Sequence, residues 1–78
     1  MQIHERPRFL LVRRASGLTS EHVAQEAGLS LSEEYRAELG NAVEPEVAER
    51  LVAAFSRLTG KDWTVQETAI RVRGGGQR

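Results

Sequence analysis

The side chains best equipped for chemistry in this chain are its arginines. Of its 11 basic residues, only Lys61 is not Arg. A guanidinium fork suits phosphate and carboxylate equally well, so its placement decides its role. Residues 1–14 carry Arg6, Arg8, Arg13 and Arg14 against Glu5, a local charge of +3. Residues 15–49 carry Arg36 alone against eight Glu, a charge of −7. Residues 50–78 carry Arg50, Arg57, Lys61, Arg71, Arg73 and Arg78 against Asp62 and Glu67, a charge of +4. The chain is neutral overall, yet its basic groups gather at the two ends. Such ends can grip a nucleic-acid backbone, or they can fold back onto the acidic middle.

Other chemistries lack their residues. With no Cys there is neither a disulfide framework nor a thiolate metal site. His4 and His22 stand 18 residues apart, without the carboxylates of a metal site. There is no nucleophile–base pair and no phosphate-cradling loop, and the run Gly74–Gly76 sits at the tail in no such pattern. An enzyme, a metal and a cofactor are therefore not expected. No apolar run reaches the roughly 18 residues of a membrane span. Charges occupy the N-terminus where a signal peptide needs an apolar core, so a cytoplasmic protein is expected. At 78 residues and 40% apolar content the chain supports one small core with little margin, which dimerisation would help.

The elements that must position these groups are short helices. Residues 1–7 read as a flexible basic arm, with Pro7 suited to the start of a helix. Phe9, Leu10, Leu11 and Val12 begin an apolar stripe in a helix of about residues 8–15, which Gly17 ends. Thr19 caps a second helix over 20–27, with Val23, Ala24 and Ala27 as its apolar positions. Gly28 closes it. Ser30 opens a third helix over 31–39 through the capping-box pattern Ser30-Leu-Ser-Glu33. Leu31, Tyr35 and Leu39 recur there at i, i+4, i+8, and Gly40 stops the helix. Pro45 fits the first position of a fourth helix, whose broad face holds Val47, Ala48, Leu51, Val52, Ala54, Phe55 and Leu58. Thr64-Val-Gln-Glu67 is a second capping box and predicts a short fifth helix. Residues 69–73 fit either an extension of that helix or a strand. The whole is an all-α bundle of five short helices, with a domain over 8–70 and a Gly/Arg-rich tail over 71–78. Within it, Leu18–Gly40 has the layout of a helix-turn-helix.

Several motifs in order resemble the lambda-repressor/Cro-like, or XRE-like, helix-turn-helix family. Val12-Arg13-Arg-Ala-Ser-Gly17-Leu18-Thr19 is similar to the family's approach to helix 2, and Gly28-Leu29-Ser30 to its turn. Gly28 to Gly40 spans the 13 positions that the family uses from turn Gly to stop Gly. Pro45 resembles the residue that starts helix 4, and Leu58-Thr-Gly-Lys-Asp62-Trp63 the segment before helix 5. The resemblance covers about residues 8–67. It implies a lambda-repressor-like fold, double-stranded DNA as partner, and pairing of Glu38 with Arg13.

The resemblance also implies where DNA would be met. Ser20 stands where the family often has a phosphate-binding Gln. Ser30, Leu31, Ser32, Glu33 and Arg36 occupy the front of helix 3. There Arg36 can fork onto a guanine, Leu31 can meet a thymine methyl, and Glu33 can accept from cytosine. The capping box is the simpler role for Glu33. Arg6, Arg8 and Arg14 would track the backbone from the N-terminal side, joined by Arg71, Arg73 and Arg78 of the tail. Trp63 and Phe55 read as core or dimer-face residues, and His22 as solvated.

Two departures complicate this. Glu34 falls where the family has a core aliphatic residue, so either helix 3 rotates to bury Tyr35 or Glu34 finds a partner such as Arg14. The loop Asn41-Ala-Val-Glu44 also lacks the basic residues the family often carries there. The expected function is a small, repressor-like DNA-binding transcription regulator, homodimeric on a short palindrome. The alternative is a protein-interaction module whose acidic helix 3 docks on a basic partner.

Overall fold

Several helices begin and end where local chemistry dictates. In the computed structural model, which describes residues 8–74, the helices are α1 (Phe9–Ala15), α2 (Ser20–Ala27), α3 (Leu31–Glu38), α4 (Pro45–Thr59) and α5 (Val65–Thr68). The expected arm over 1–7, with Arg6 in it, lies outside the described residues, as does the end of the tail.

Thr19 Oγ1 accepts from the amide of His22 and so caps α2. Gly28 closes the helix in the left-handed conformation at φ 71°, which costs a residue without a Cβ almost nothing. The capping boxes of α3 and α5 form in both directions, Ser30 with Glu33 and Thr64 with Glu67. Pro45 occupies the first turn of α4, where no amide donor is needed.

The core is built on α4. Its Ala48, Leu51, Ala54 and Phe55 are buried with Phe9 of α1, Val23 and Ala27 of α2, and Ala37 of α3. Phe55 lies at its centre, edge-on to Phe9 at 5.3 Å between ring centroids and tilted against Trp63 at 4.9 Å. Trp63 is half-buried, and its indole donates to Thr59 Oγ1 at 2.9 Å. α2 packs on both α3 and α4, while α1 packs on α3 and α5 on α4.

Residues 69–73 adopt neither of the two predicted forms in full. Ala69 ends α5 with φ 63°, which stops the helix. The chain then runs back past the loop after α3, and Val72 makes a single parallel bridge with Val43. Val43 donates to the Arg71 carbonyl at 2.9 Å, and Arg73 donates to the Val43 carbonyl at 2.7 Å. Ile70 is buried and Val72 packs against the core. Residues 71–73, predicted as part of a tail, are thus tied into the fold at residue 43. Among the described residues, no helix is long and apolar enough to cross a membrane.

Candidate nucleic-acid interface

α3 presents two faces of different character. Its inner face holds Glu34, Ala37 and Glu38, all buried. Its outer face holds Ser32, Glu33, Tyr35 and Arg36, all exposed, with Leu31 half-buried. The i, i+4, i+8 row of Leu31, Tyr35 and Leu39 is therefore not the buried stripe: Tyr35 is 44% and Leu39 58% exposed. The rotation that would have hidden Tyr35 does not occur.

The inner face is held by a polar cluster rather than by aliphatic packing. Arg13 Nε donates to Glu38 Oε2 at 2.8 Å, and Arg13 Nη1 donates to the Leu18 carbonyl. Ser20 Oγ donates to the same Glu38 oxygen at 2.6 Å. Burial opposes the charge on Glu38, but hydrogen bonds from Glu34, Ser20 and Arg13 outweigh it and hold the carboxyl below its ordinary value. Ser20 is itself 7% exposed. Its hydroxyl ties α2 to α3 and is given to Glu38, where a phosphate contact was expected of it.

Glu34 completes this cluster without a donor of its own. It is fully buried, and no N–H or hydroxyl donor reaches either of its carboxyl oxygens. Arg14, expected as a possible partner, is exposed and makes no ion pair among the described residues. Burial, then the neighbouring Glu38, push the Glu34 carboxyl up to about 9. That shift favours the neutral acid form of Glu34 beside the Arg13–Glu38 pair.

On the outer face, Ser30 and Glu33 engage one another. Glu33 Oε1 accepts from the Ser30 amide at 3.1 Å and from the Ser30 hydroxyl at 3.2 Å. Ser32 and Arg36 remain directed to solvent, and Arg36 Nη2 makes a long contact of 3.4 Å to the Ala42 carbonyl.

Two more guanidinium groups converge on the C-terminal end of α3. Arg71 Nη1 donates to the Gly40 carbonyl at 3.4 Å. The Arg8 stem lies over the same residue, since a Cβ on Gly40 would stand 3.9 Å from Arg8 Cδ and Nε. Arg8, Arg36 and Arg71 come from three distant parts of the sequence, yet all flank the loop 40–42. None has a carboxylate partner among the described residues. The loop that carries no basic residue of its own is thereby made basic. Sequence reasoning placed Arg71 in a tail and missed this convergence; the backbone pairing of 71–73 with Val43 brings it about. Arg73 lies further along the same segment and pairs with Glu44 at 3.0 Å, beside a cleft of about 230 Å³ that Arg36 and Glu33 also line.

The acidity of residues 15–49 changes meaning in three dimensions. Glu26 pairs with Arg57 at 2.8 Å, Glu46 with Arg50 at 3.0 Å, Glu44 with Arg73 and Glu38 with Arg13. Glu34 is neutral and Glu33 serves its cap. Only Glu21 and Glu49 of the eight have no such role among the described residues. The three exposed pairs add little stability, but with Arg13–Glu38 they cancel much of the local field.

No family profile, curated protein or solved structure matches the chain.

Proposed function

We propose that this chain is a small DNA-binding transcription regulator that lays the outer face of α3 in the major groove. The observation that carries the reading is the convergence of Arg8, Arg36 and Arg71 around the end of α3, where no carboxylate among the described residues answers them. In this reading α2, the turn Gly28-Leu29-Ser30 and α3 act as a helix-turn-helix of the XRE-like kind. Arg36, with Ser32 and Tyr35 beside it, meets base edges. Arg8 and Arg71 hold the phosphate backbone, with Arg14 further along α1. Phosphate contacts position the helix, and the few base contacts specify the site.

A homodimer suits such a reader, because one eight-residue helix reads too few bases for a unique site. Two copies would engage half-sites about 34 Å apart along the duplex. Among the described residues, Leu11, Tyr35 and Leu39 are the large apolar side chains left exposed.

The alternative, docking of a basic protein on an acidic α3, draws less support. The carboxylates that motivated it are buried, capping or paired.

The test is fluorescence anisotropy with a labelled duplex from upstream of the protein's own coding sequence and a scrambled control, titrated with salt. The reading predicts preference for the native duplex and a steep loss of affinity as salt rises. No binding at low salt to either duplex overturns it.

A further inference from the structure

We propose that the docking of α3 onto α1 and α2 takes up one proton, shared between the carboxyls of Glu34 and Glu38, so that the seating of α3 is linked to pH across the neutral range. The argument begins with donors and acceptors. Glu34 is wholly buried and no donor reaches either of its oxygens. The side chain within hydrogen-bonding reach of it is another carboxyl, that of Glu38, which as a carboxylate only accepts. Glu38 is already committed as a carboxylate by Arg13 and Ser20. The one arrangement that satisfies the pair is a proton on Glu34 donated to Glu38.

The charged groups around Glu34 reinforce this. From α1 comes Arg13, already engaged by Glu38. From α2 comes Glu21, which opposes a second negative charge, and Ser20, whose hydroxyl is given to Glu38. From α3 itself comes Glu38, and no charged group of α4 acts on the site. Without its proton, Glu34 would place a second carboxylate in a buried site that holds one cation.

The consequence is linkage. In the unfolded chain Glu34 ionises near its ordinary value of 4.5, and in the folded protein it keeps its proton to about 9. Between those values the folded state holds one proton more than the unfolded state. Stability is therefore fully present below the lower value and is lost as pH rises through the higher one. Each pH unit in this window lowers the folding equilibrium constant about tenfold. Under the DNA-binding reading the outer face of α3 would be set by the same proton. The linkage itself does not depend on what α3 binds.

The experiment is urea unfolding of the full chain from pH 5 to 9, for the parent, Glu34→Gln and Glu34→Leu, with carbon NMR of the Glu34 carboxyl in the parent. Gln keeps the shape and the donor without the titration, and Leu keeps the burial. The expected result is a parent that weakens by about tenfold per unit, and variants that are flatter by one proton's worth. The Glu34 carboxyl carbon should not titrate below pH 7. A parent as flat as the variants, or a Glu34 carboxyl that titrates in the ordinary carboxylate range, overturns the proposal. If neither variant folds, the parent's own slope and NMR titration decide it. Because the readout is stability, its failure is distinguishable from a failure of DNA binding.

Discussion

Arg13 and Glu38 join α1 to α3 through a pair 2.8 Å long, with side chains only 12% and 4% exposed. The geometry makes Arg13 hard to replace. Its Nε serves Glu38 while its Nη1 serves the Leu18 carbonyl, just before α2 begins. Arg13→Ala leaves a buried carboxylate without its cation, held by the Ser20 hydroxyl and the Glu34 carboxyl alone. It should cost about 3–5 kcal/mol, close to the whole stability of a small domain. Arg13→Lys keeps the charge but loses the fork and should fall between. Urea unfolding checks both; a loss under about 1 kcal/mol for Arg13→Ala would mean that the pair is not a structural tie.

The two carboxyls of α3 should give the domain a stability maximum in mild acid. Glu38, held below its ordinary value, contributes stability above 4.5 that is lost as pH falls through its lowered value. Glu34, raised to about 9, contributes stability that is full below 4.5 and fades as pH rises. Melting temperature against pH should therefore peak near 5 and decline on both sides. Ser20→Ala removes one donor from Glu38. It should cost about 1.5–3 kcal/mol and move the acid limb to higher pH. An unchanged acid limb would show that Ser20 does not hold that charge.

On DNA, the arginines should separate by role. Arg36→Ala should flatten discrimination at one base pair per half-site, by about 1–3 kcal/mol. Arg8→Ala and Arg71→Ala should weaken all sequences alike, each lowering the salt slope by about 1. Binding to a panel of single-base site variants at two or more salt concentrations reads both quantities. If Arg36→Ala behaved as Arg71→Ala does, Arg36 would be a backbone contact and the specifying residue would lie elsewhere on α3.

Ala69 is the non-glycine residue with a left-handed backbone among those described, at φ 63°. A Cβ there costs about 1–2 kcal/mol. Ala69→Gly should relieve most of that strain, offset by the greater freedom of Gly in the unfolded chain, for a net gain of about 0.5–1 kcal/mol. A thermal melt checks the sign, and a destabilised variant would mean that the Ala69 methyl packs for more than its strain.

The helices were legible because their ends are chemically marked. Thr19, Ser30 and Thr64 cap, Gly28 stops, and Pro45 starts, each through a local rule that needs no tertiary contact. The rotation of α3 was only half legible: the resemblance put Glu34 at a core position and paired Glu38 with Arg13, while the apolar row argued otherwise. Periodicity pointed to Leu31, Tyr35 and Leu39, whereas the helix buries Glu34, Ala37 and Glu38 at i, i+3, i+4. Hydropathy marks a carboxyl as a surface group. It has no means of registering that Arg13, Ser20 and a shared proton can satisfy two of them in a core. The basic ring around Gly40 was equally hidden, because Arg8, Arg36 and Arg71 meet only through the packing of α1 on α3 and the bridge from Val43 to Val72. The pairing of the basic ends with the acidic middle was one of the two roles open in the sequence, and Arg13, Arg50, Arg57 and Arg73 take it.

The most direct test of the central claim is amide chemical-shift mapping of the full chain with duplex DNA at low salt. The account predicts that the largest changes fall on Ser32, Tyr35 and Arg36, on the loop 40–42, and on Arg8 and Arg71, with the outer side of α4 silent. Changes centred on α4, or none at all, would contradict it.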